Sequence, residues 1–168
     1  VTYDEAFDTA EKIAQAFNLD LASDPRLKGE ATGLLFTTQN DPAHPFNRQR
    51  IENGELNVEV EFLSGGGLNL HCRSGSQSVI GAEIHGNGDW NVVLNYGQVL
   101  GNGQSPAIRA GKNQVTLACV NSKITLQANG EVLSSLEVPE YTPSSGTMGW
   151  DVYENSQLRI SRAALKFY

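Results

Sequence analysis

Within the stretch AEIHGNGDW, residues 82–90, stand an acid (Glu83), an imidazole (His85), a second acid (Asp89) and an indole (Trp90). Carboxylate and imidazole on one surface can move protons or accept hydrogen bonds from hydroxyls. An indole beside them can lie under an apolar ring face. Two strand-lengths earlier, LNLHCR adds His71 and Arg73, and near the C-terminus GTMGWDVY adds Trp150 and Tyr153. Which chemistry these residues can perform depends on which of them share a face, and that depends on the elements carrying them.

The 168 residues suffice for one domain with a buried core and no help from metals. Seventeen glycines, one methionine and 18% charged residues suit many strands and turns better than a helical bundle. The net charge of −7 comes without a basic run, which argues against nucleic acid or an anionic membrane as partner. No apolar run approaches the length of a membrane span, and Val1 begins no signal-peptide pattern. No Asn-x-Ser/Thr acceptor occurs.

In YDEAFDTAEKIAQAFN, Phe7, Ala10, Ile13, Ala14 and Phe17 recur at helical spacing, which predicts a short helix near 9–17 capped by Asp8 or Thr9. A polar, Pro-containing wrap follows, with a short strand around LLFTT. From residue 54 the period becomes two: Leu56, Val58, Val60 and Phe62 alternate with Glu55, Asn57, Glu59 and Glu61. Similar runs continue to the end, and four Asn-Gly pairs, at 53–54, 87–88, 102–103 and 129–130, are expected to mark reversals. The fold expected is all-β, an antiparallel two-sheet sandwich with a short N-terminal helix. It is read as one domain over 1–168, with helix and irregular wrap over 1–50 and sandwich core over 51–168.

Alternation then sorts side chains. A two-residue turn at Asn121-Ser122 places Val115, Leu117 and Cys119 on the core face with Ile124, Leu126 and Ala128. Leu68, Leu70 and Cys72 align with Ile80, Ala82 and Ile84, so Asn69, His71, Arg73, Glu83 and His85 share the outer face, with Asn91 and Asn95 beside them. A three-residue loop Gly86-Asn87-Gly88 sends Trp90 inward. The alternative two-residue turn would bury Asn91 and Asn95, and unpaired buried amides are costly. Cys72 and Cys119, both inward, are either two buried thiols or a bridge.

The runs GELNVEVEF, LNLHCR, AEIHGNGDWNVV, SPAIRAGKNQVTLACVNSKITLQANGEVL and GTMGWDV…LRISRAALKFY together resemble a concanavalin A-like, laminin G-like jelly roll. The variety resembled is that of bacterial secreted proteins and lipoproteins, related to the 3-keto-disaccharide hydrolase group. The resemblance covers residues 54–168. It implies a Cys72–Cys119 disulfide, and hence a secreted, periplasmic or cell-envelope location. The group's Asn-Ser-Gly before its Arg strand is absent, replaced by GGGLNLHCR.

Three chemistries remain. A glycan-binding module would use His71, Arg73, Glu83, His85, Trp150 and Tyr153, with Tyr96 and Trp90 as further aromatic candidates, to contact a carbohydrate or cell-envelope component. A structural or protein-interaction domain of a larger envelope protein is the second reading. A glycoside hydrolase is the third; it needs paired carboxylates, for which Glu55, Glu59, Glu61 and Glu83 are available without the full motif. No catalytic residue is assigned. No cofactor is expected beyond a structural calcium, for which Asp4, Asp8, Asp20, Asp24 and Asp41 are loose candidates. His71 and His85, if they faced each other, could share a transition metal.

Overall fold

The computed structural model describes residues 3–75, 78–138 and 145–168. Thirteen strands and one helix follow in the order β1 (Glu5–Phe7), α1 (Ala10–Ala16), β2 (Leu27–Glu30), β3 (Gly33–Thr37), β4 (Gly54–Gly65), β5 (Gly67–Ser74), β6 (Ile80–His85), β7 (Asp89–Leu94), β8 (Gln98–Gln104), β9 (Lys112–Val120), β10 (Lys123–Ala128), β11 (Glu131–Glu137), β12 (Thr147–Val152) and β13 (Ser156–Phe167). Eight form one sheet, ordered β11-β10-β9-β4-β13-β3-β2, with β1 also paired to β13. Five form the other, ordered β12-β5-β6-β7-β8. All strand pairings are antiparallel, and the sheets close on one core as a concanavalin A-like jelly-roll sandwich.

The core is the alternation realised. Leu56, Val58 and Val60 of β4, Val115 and Leu117 of β9, and Leu68 and Leu70 of β5 are all buried between the sheets. Each such side chain contributes about 1.5–3 kcal/mol by leaving water, which pins the register, because a one-residue slip would expose the whole set. The Asn121-Ser122 turn sets Val120 opposite Lys123, and Leu70 pairs with Ala82, as the pattern requires. Cys72 on β5 and Cys119 on β9 form a disulfide that ties the two sheets together.

Thr9 caps the helix, its hydroxyl accepting from the Lys12 amide at 3.2 Å. Ile13 and Phe17 enter the core, where Phe17 meets Trp150 at a ring separation of 4.4 Å. The helix therefore closes the side of the sandwich where β2 and β12 end the sheets.

Residues 1–50 contribute more strand than their pattern suggests. β1 and β2 are too short for period-two alternation to register, yet both join the eight-stranded sheet. Two of the four Asn-Gly pairs make reversals: Gly88 (φ +99) between β6 and β7, and Asn129-Gly130 (φ 52 and 84) between β10 and β11. Asn53-Gly54 leads into β4 instead. Asn102-Gly103 lies inside β8, because the indole of Trp90 occupies the space a Gly103 side chain would need, within 2.9 Å of its Cβ position. The reversal between β7 and β8 falls on Asn95 and Tyr96, both left-handed (φ 53 and 60).

Candidate functional site: a polar row across the five-stranded sheet

The registers of the five-stranded sheet align Asn102, Asn91, Glu83, Asn69 and Asp151 across β8, β7, β6, β5 and β12. Facing residues of adjacent strands share a face, so these five polar side chains form one row on this side of the sheet, with Asn102, Asn91 and Glu83 open to solvent and Asn69 and Asp151 buried beneath their neighbours. They are hydrogen-bonded along it. Asn91 Nδ2 donates to Glu83 Oε2 at 3.1 Å, and Asn69 Nδ2 donates to Asp151 Oδ2 at 2.9 Å. From Asn91 to Asp151 the row alternates amide and carboxylate, and its open end, Asn102, Asn91 and Glu83, offers donors and acceptors suited to hydroxyl groups.

Beside the row lie two rings. His85 pairs across Gly67, and Tyr153 follows β12, its amide donating to the Gly67 carbonyl at 3.3 Å. The imidazole and phenol planes are within 13° of parallel, at a centroid distance of 6.3 Å. The Tyr153 hydroxyl reaches back to Glu83 Oε1 at 2.7 Å. Glu83 is thus held by three neighbours. The His85 imidazole, with the bonds from Tyr153 and Asn91, depresses the carboxyl to about 2 against the effect of burial. The His85–Glu83 separation is 4.0 Å, a long ion pair. The same contact raises His85, and burial together with Glu83 pushes Tyr153 up.

The other end of the row is built by a segment outside the regular strands. Residues 43–51 run along the free edge of β12 through single bridges Ala43–Val152, Phe46–Gly149 and Ile51–Gly146. This approach requires glycine at 149, because the Pro45 carbonyl oxygen lies 2.2 Å from where its Cβ would stand. The segment delivers His44, whose Nδ1 donates to Asp151 Oδ1 at 2.7 Å. Asp151 is buried while the His44 side chain is 65% exposed. Tyr96, from the left-handed β7–β8 turn, is largely exposed; partial burial of its hydroxyl and the facing Asp151 raise its pKa.

The sequence-derived residues divide accordingly. Glu83, His85 and Tyr153 come together on the outer face. His71 belongs to this face but is buried, next to Gly149 and Gly81 in register, and its Nδ1 has no partner among the described residues. Burial lowers its pKa, Asp151 opposing and His44 adding to the effect. His71 and His85 do not face each other; they pair with Gly81 and Gly67, on opposite sides of the Asn69–Glu83 pair. The shared-metal geometry is therefore absent.

Arg73 leaves the face. Its left-handed backbone (φ 51) turns the guanidinium to the end of the sandwich, where it donates to the carbonyls of Glu52 at 2.9 Å and Asn121 at 2.6 Å. Trp150 points the opposite way from its neighbours Gly149 and Asp151. It is fully buried against Phe17 and Phe36, so no ligand on the outer face can touch it. Trp90 likewise faces the core, at its margin. His44, Asp151, Asn69 and Asn91 complete the site; the first two had not been singled out. Position 151 carries the alternation signal, two before Tyr153, whereas no periodicity marks His44.

The remaining acids have other partners. Arg159 bridges Glu61 at 2.6 Å and Glu30 at 2.9 Å, Glu59 lies near Ser161, and Glu55 accepts from Tyr3, all on the outer face of the eight-stranded sheet. A hollow of about 630 Å³ there is lined by Glu59, Glu61, Arg109, Lys112, Arg159 and Ser161 among others, and no aromatic side chain lines it. Asp8 pairs with Lys12, Asp24 and Asp41 with Arg26, Asp20 accepts from the Ala22 and Ser23 amides, and Asp4 accepts from the Phe167 amide. Among the described residues, no group of three His, Cys, Asp or Glu is arranged to hold a metal ion.

No protein-family model matches the chain, and no curated protein matches it. Solved structures do. The carbohydrate-binding module CBM66 from Bacillus subtilis is similar at a TM-score of 0.69 and 10% identity, over 83% of this chain and 90% of that one. A Bacillus licheniformis beta-glucanase aligns at 0.67 and 8% identity, over 85% and 83%. The VIP36 exoplasmic/lumenal domain, in its Ca²⁺/Man-bound form, aligns at 0.62 and 12% identity, over 85% and 81%. These likenesses establish the jelly-roll fold, which hosts both binding modules and glycanases.

Proposed function

We propose that the chain is a glycan-binding module that holds a neutral sugar on the outer face of the five-stranded sheet. The observation that carries this reading is the accessible pair Asn91–Glu83, backed by the buried pair Asn69–Asp151 and flanked by the parallel rings of His85 and Tyr153. Carboxylate and amide groups fixed by their neighbours meet hydroxyls without paying much side-chain entropy, and the flanking rings offer a flat apolar contact for the C–H face of a pyranose. The sugar-binding and glycanase structures that share the fold support the choice of ligand class.

Charge selects the kind of sugar. Glu83 remains ionised at every physiological pH, and Arg73, a guanidinium expected on this face, is turned away. A uronate, sulfated or sialylated residue would meet like charge here, so the ligand class is neutral.

Binding is favoured over glycoside hydrolysis on two grounds. Glu83 and Asp151 stand two strands apart with the Asn69 amide between them, and Asp151 is buried, so they do not present the open carboxylate pair of a retaining enzyme. An inverting enzyme needs one protonated carboxyl, and Glu83 is held in the opposite state. A disulfide-linked module of this kind fits a secreted or cell-envelope setting. The test is a glycan array probed with the parent and with Glu83→Gln. Neutral glycans retained by the parent and lost by the variant support the proposal; no glycan retained by the parent rejects it.

A further inference from the structure

The His44–Asp151 pair is more than a sugar contact requires. The imidazole sits on an irregular edge segment, open to solvent, with Nδ1 bound 2.7 Å from a buried carboxylate. The second oxygen of that carboxylate is fixed by Asn69 at 2.9 Å. With Nδ1–H committed to Asp151, Nε2 is left as the proton acceptor of a largely exposed side chain, and the carboxylate holds the ring in that tautomer. Base, orienting acid and a group that fixes the acid are therefore in place. The Tyr96 hydroxyl donates to the same Asp151 and so helps to fix that carboxylate. His71, also close to Asp151 and His44, completes the titratable groups around the pair.

We propose that His44, oriented by Asp151, is a general base that hydrolyses an acyl ester carried on a hydroxyl of the bound sugar. The substrate class follows by elimination, and it rests on the neutral-glycan reading above. Acetal cleavage wants a protonated carboxyl, which Glu83 does not supply. Elimination from a uronate, or attack on a phosphoester, wants a cation for the substrate's charge, and the row presents carboxylates. A neutral ester needs only an activated water, a donor for the developing oxyanion and a returned proton.

The steps balance. His44 Nε2 takes a proton from water as the water oxygen bonds to the acyl carbon and the carbonyl electron pair moves onto oxygen. On collapse the bond between acyl carbon and sugar oxygen breaks, and the His44 imidazolium returns its proton to that oxygen. The products are a carboxylic acid and a free sugar hydroxyl.

The experiment measures acetate released from acetylated neutral oligosaccharides (xylo-, manno- and gluco-), alongside retention of the unacetylated forms on the array. The parent should release acetate above the buffer rate. His44→Ala should lower the rate by about 10²–10⁴-fold, the usual contribution of a positioned general base. Because His44→Ala leaves one oxygen of the buried Asp151 without its partner, its rate is read at a temperature where its melting curve shows it folded, with His44→Asn, which keeps a donor, beside it. Added imidazole should restore part of the rate, which a structural role for His44 would not allow. Retention of neutral glycans without acetate release overturns this inference and leaves the binding reading standing. Release that is unchanged in His44→Ala also overturns it. Neither retention nor release rejects both.

Discussion

The Tyr153 hydroxyl donates to Glu83 Oε1 at 2.7 Å across the width of β5, joining the end of β12 to the centre of the sheet. One acceptor oxygen of Glu83 is thereby fixed by a ring that would itself contact the ligand, while Asn91 fixes the other. A sugar hydroxyl arriving at Glu83 meets a carboxylate already oriented, and its binding spends little on ordering that group.

Replacing Glu83 by Gln removes a charged acceptor. Hydrogen bonds to charged groups contribute about 1.5–3 kcal/mol, so affinity for the retained glycan should fall about 10–100-fold. Tyr153→Phe should weaken binding less, because the ring surface remains and only the orienting bond is lost. Titration calorimetry on both variants checks the order; an equal or larger loss in Tyr153→Phe contradicts it.

Trp150→Ala should act on the fold and not on the ligand. Its ring is fully buried against Phe17 and Phe36 at 4.4 and 6.3 Å, so truncation leaves a cavity costing about 3–5 kcal/mol. Thermal unfolding should show a lowered Tm, whereas folded variant at low temperature should keep the parent's affinity. A selective loss of binding with an unchanged Tm would return Trp150 to the ligand surface.

Breaking Cys72–Cys119, by reduction or by paired Ser substitution, should cost about 2–4 kcal/mol. The bridge joins β5 to β9 and therefore one sheet to the other. Denaturant unfolding with and without reductant measures it; equal midpoints would contradict a stabilising role.

Three groups around the site should make stability depend on pH. The depressed Glu83 gives stability that is complete above its ordinary value of 4.5 and is lost as pH falls toward about 2. The raised His85 gives stability that is complete below its ordinary 6.5 and is lost as pH rises through its higher folded value. His71, lowered by burial, gives stability that is complete above 6.5 and is lost as pH falls below it. Glu83→Gln should remove the Glu83 part of the acid limb, leave the His71 part, and flatten the alkaline limb, since the first and last arise from the Glu83–His85 contact. Melting curves between pH 2 and 9 with the same slopes in parent and variant would refute this assignment.

Period-two alternation was legible wherever a strand was long enough to show it. It placed Leu70 against Ala82, Cys119 on the core face, and Glu83 beside Asn69 and Asn91. It misled at Arg73, where a left-handed residue breaks the alternation, and at Trp150, which was chosen for its type although its own strand turns it inward. Asn102-Gly103 carries the dipeptide of a turn yet lies within β8, since its glycine answers a packing need set by Trp90 on another strand. His44 was illegible for a related reason. It sits in an irregular segment whose position is set by bridges to β12 and a glycine at 149, more than a hundred residues away.

The most direct measurement is an NMR titration of the labelled protein with a neutral oligosaccharide retained on the array. Shift changes should cluster on Glu83, Asn69, Asn91, Asp151, His85 and Tyr153 on the outer face of the five-stranded sheet. Changes confined to Glu59, Glu61, Arg109 and Arg159, around the hollow on the eight-stranded sheet, would contradict the account.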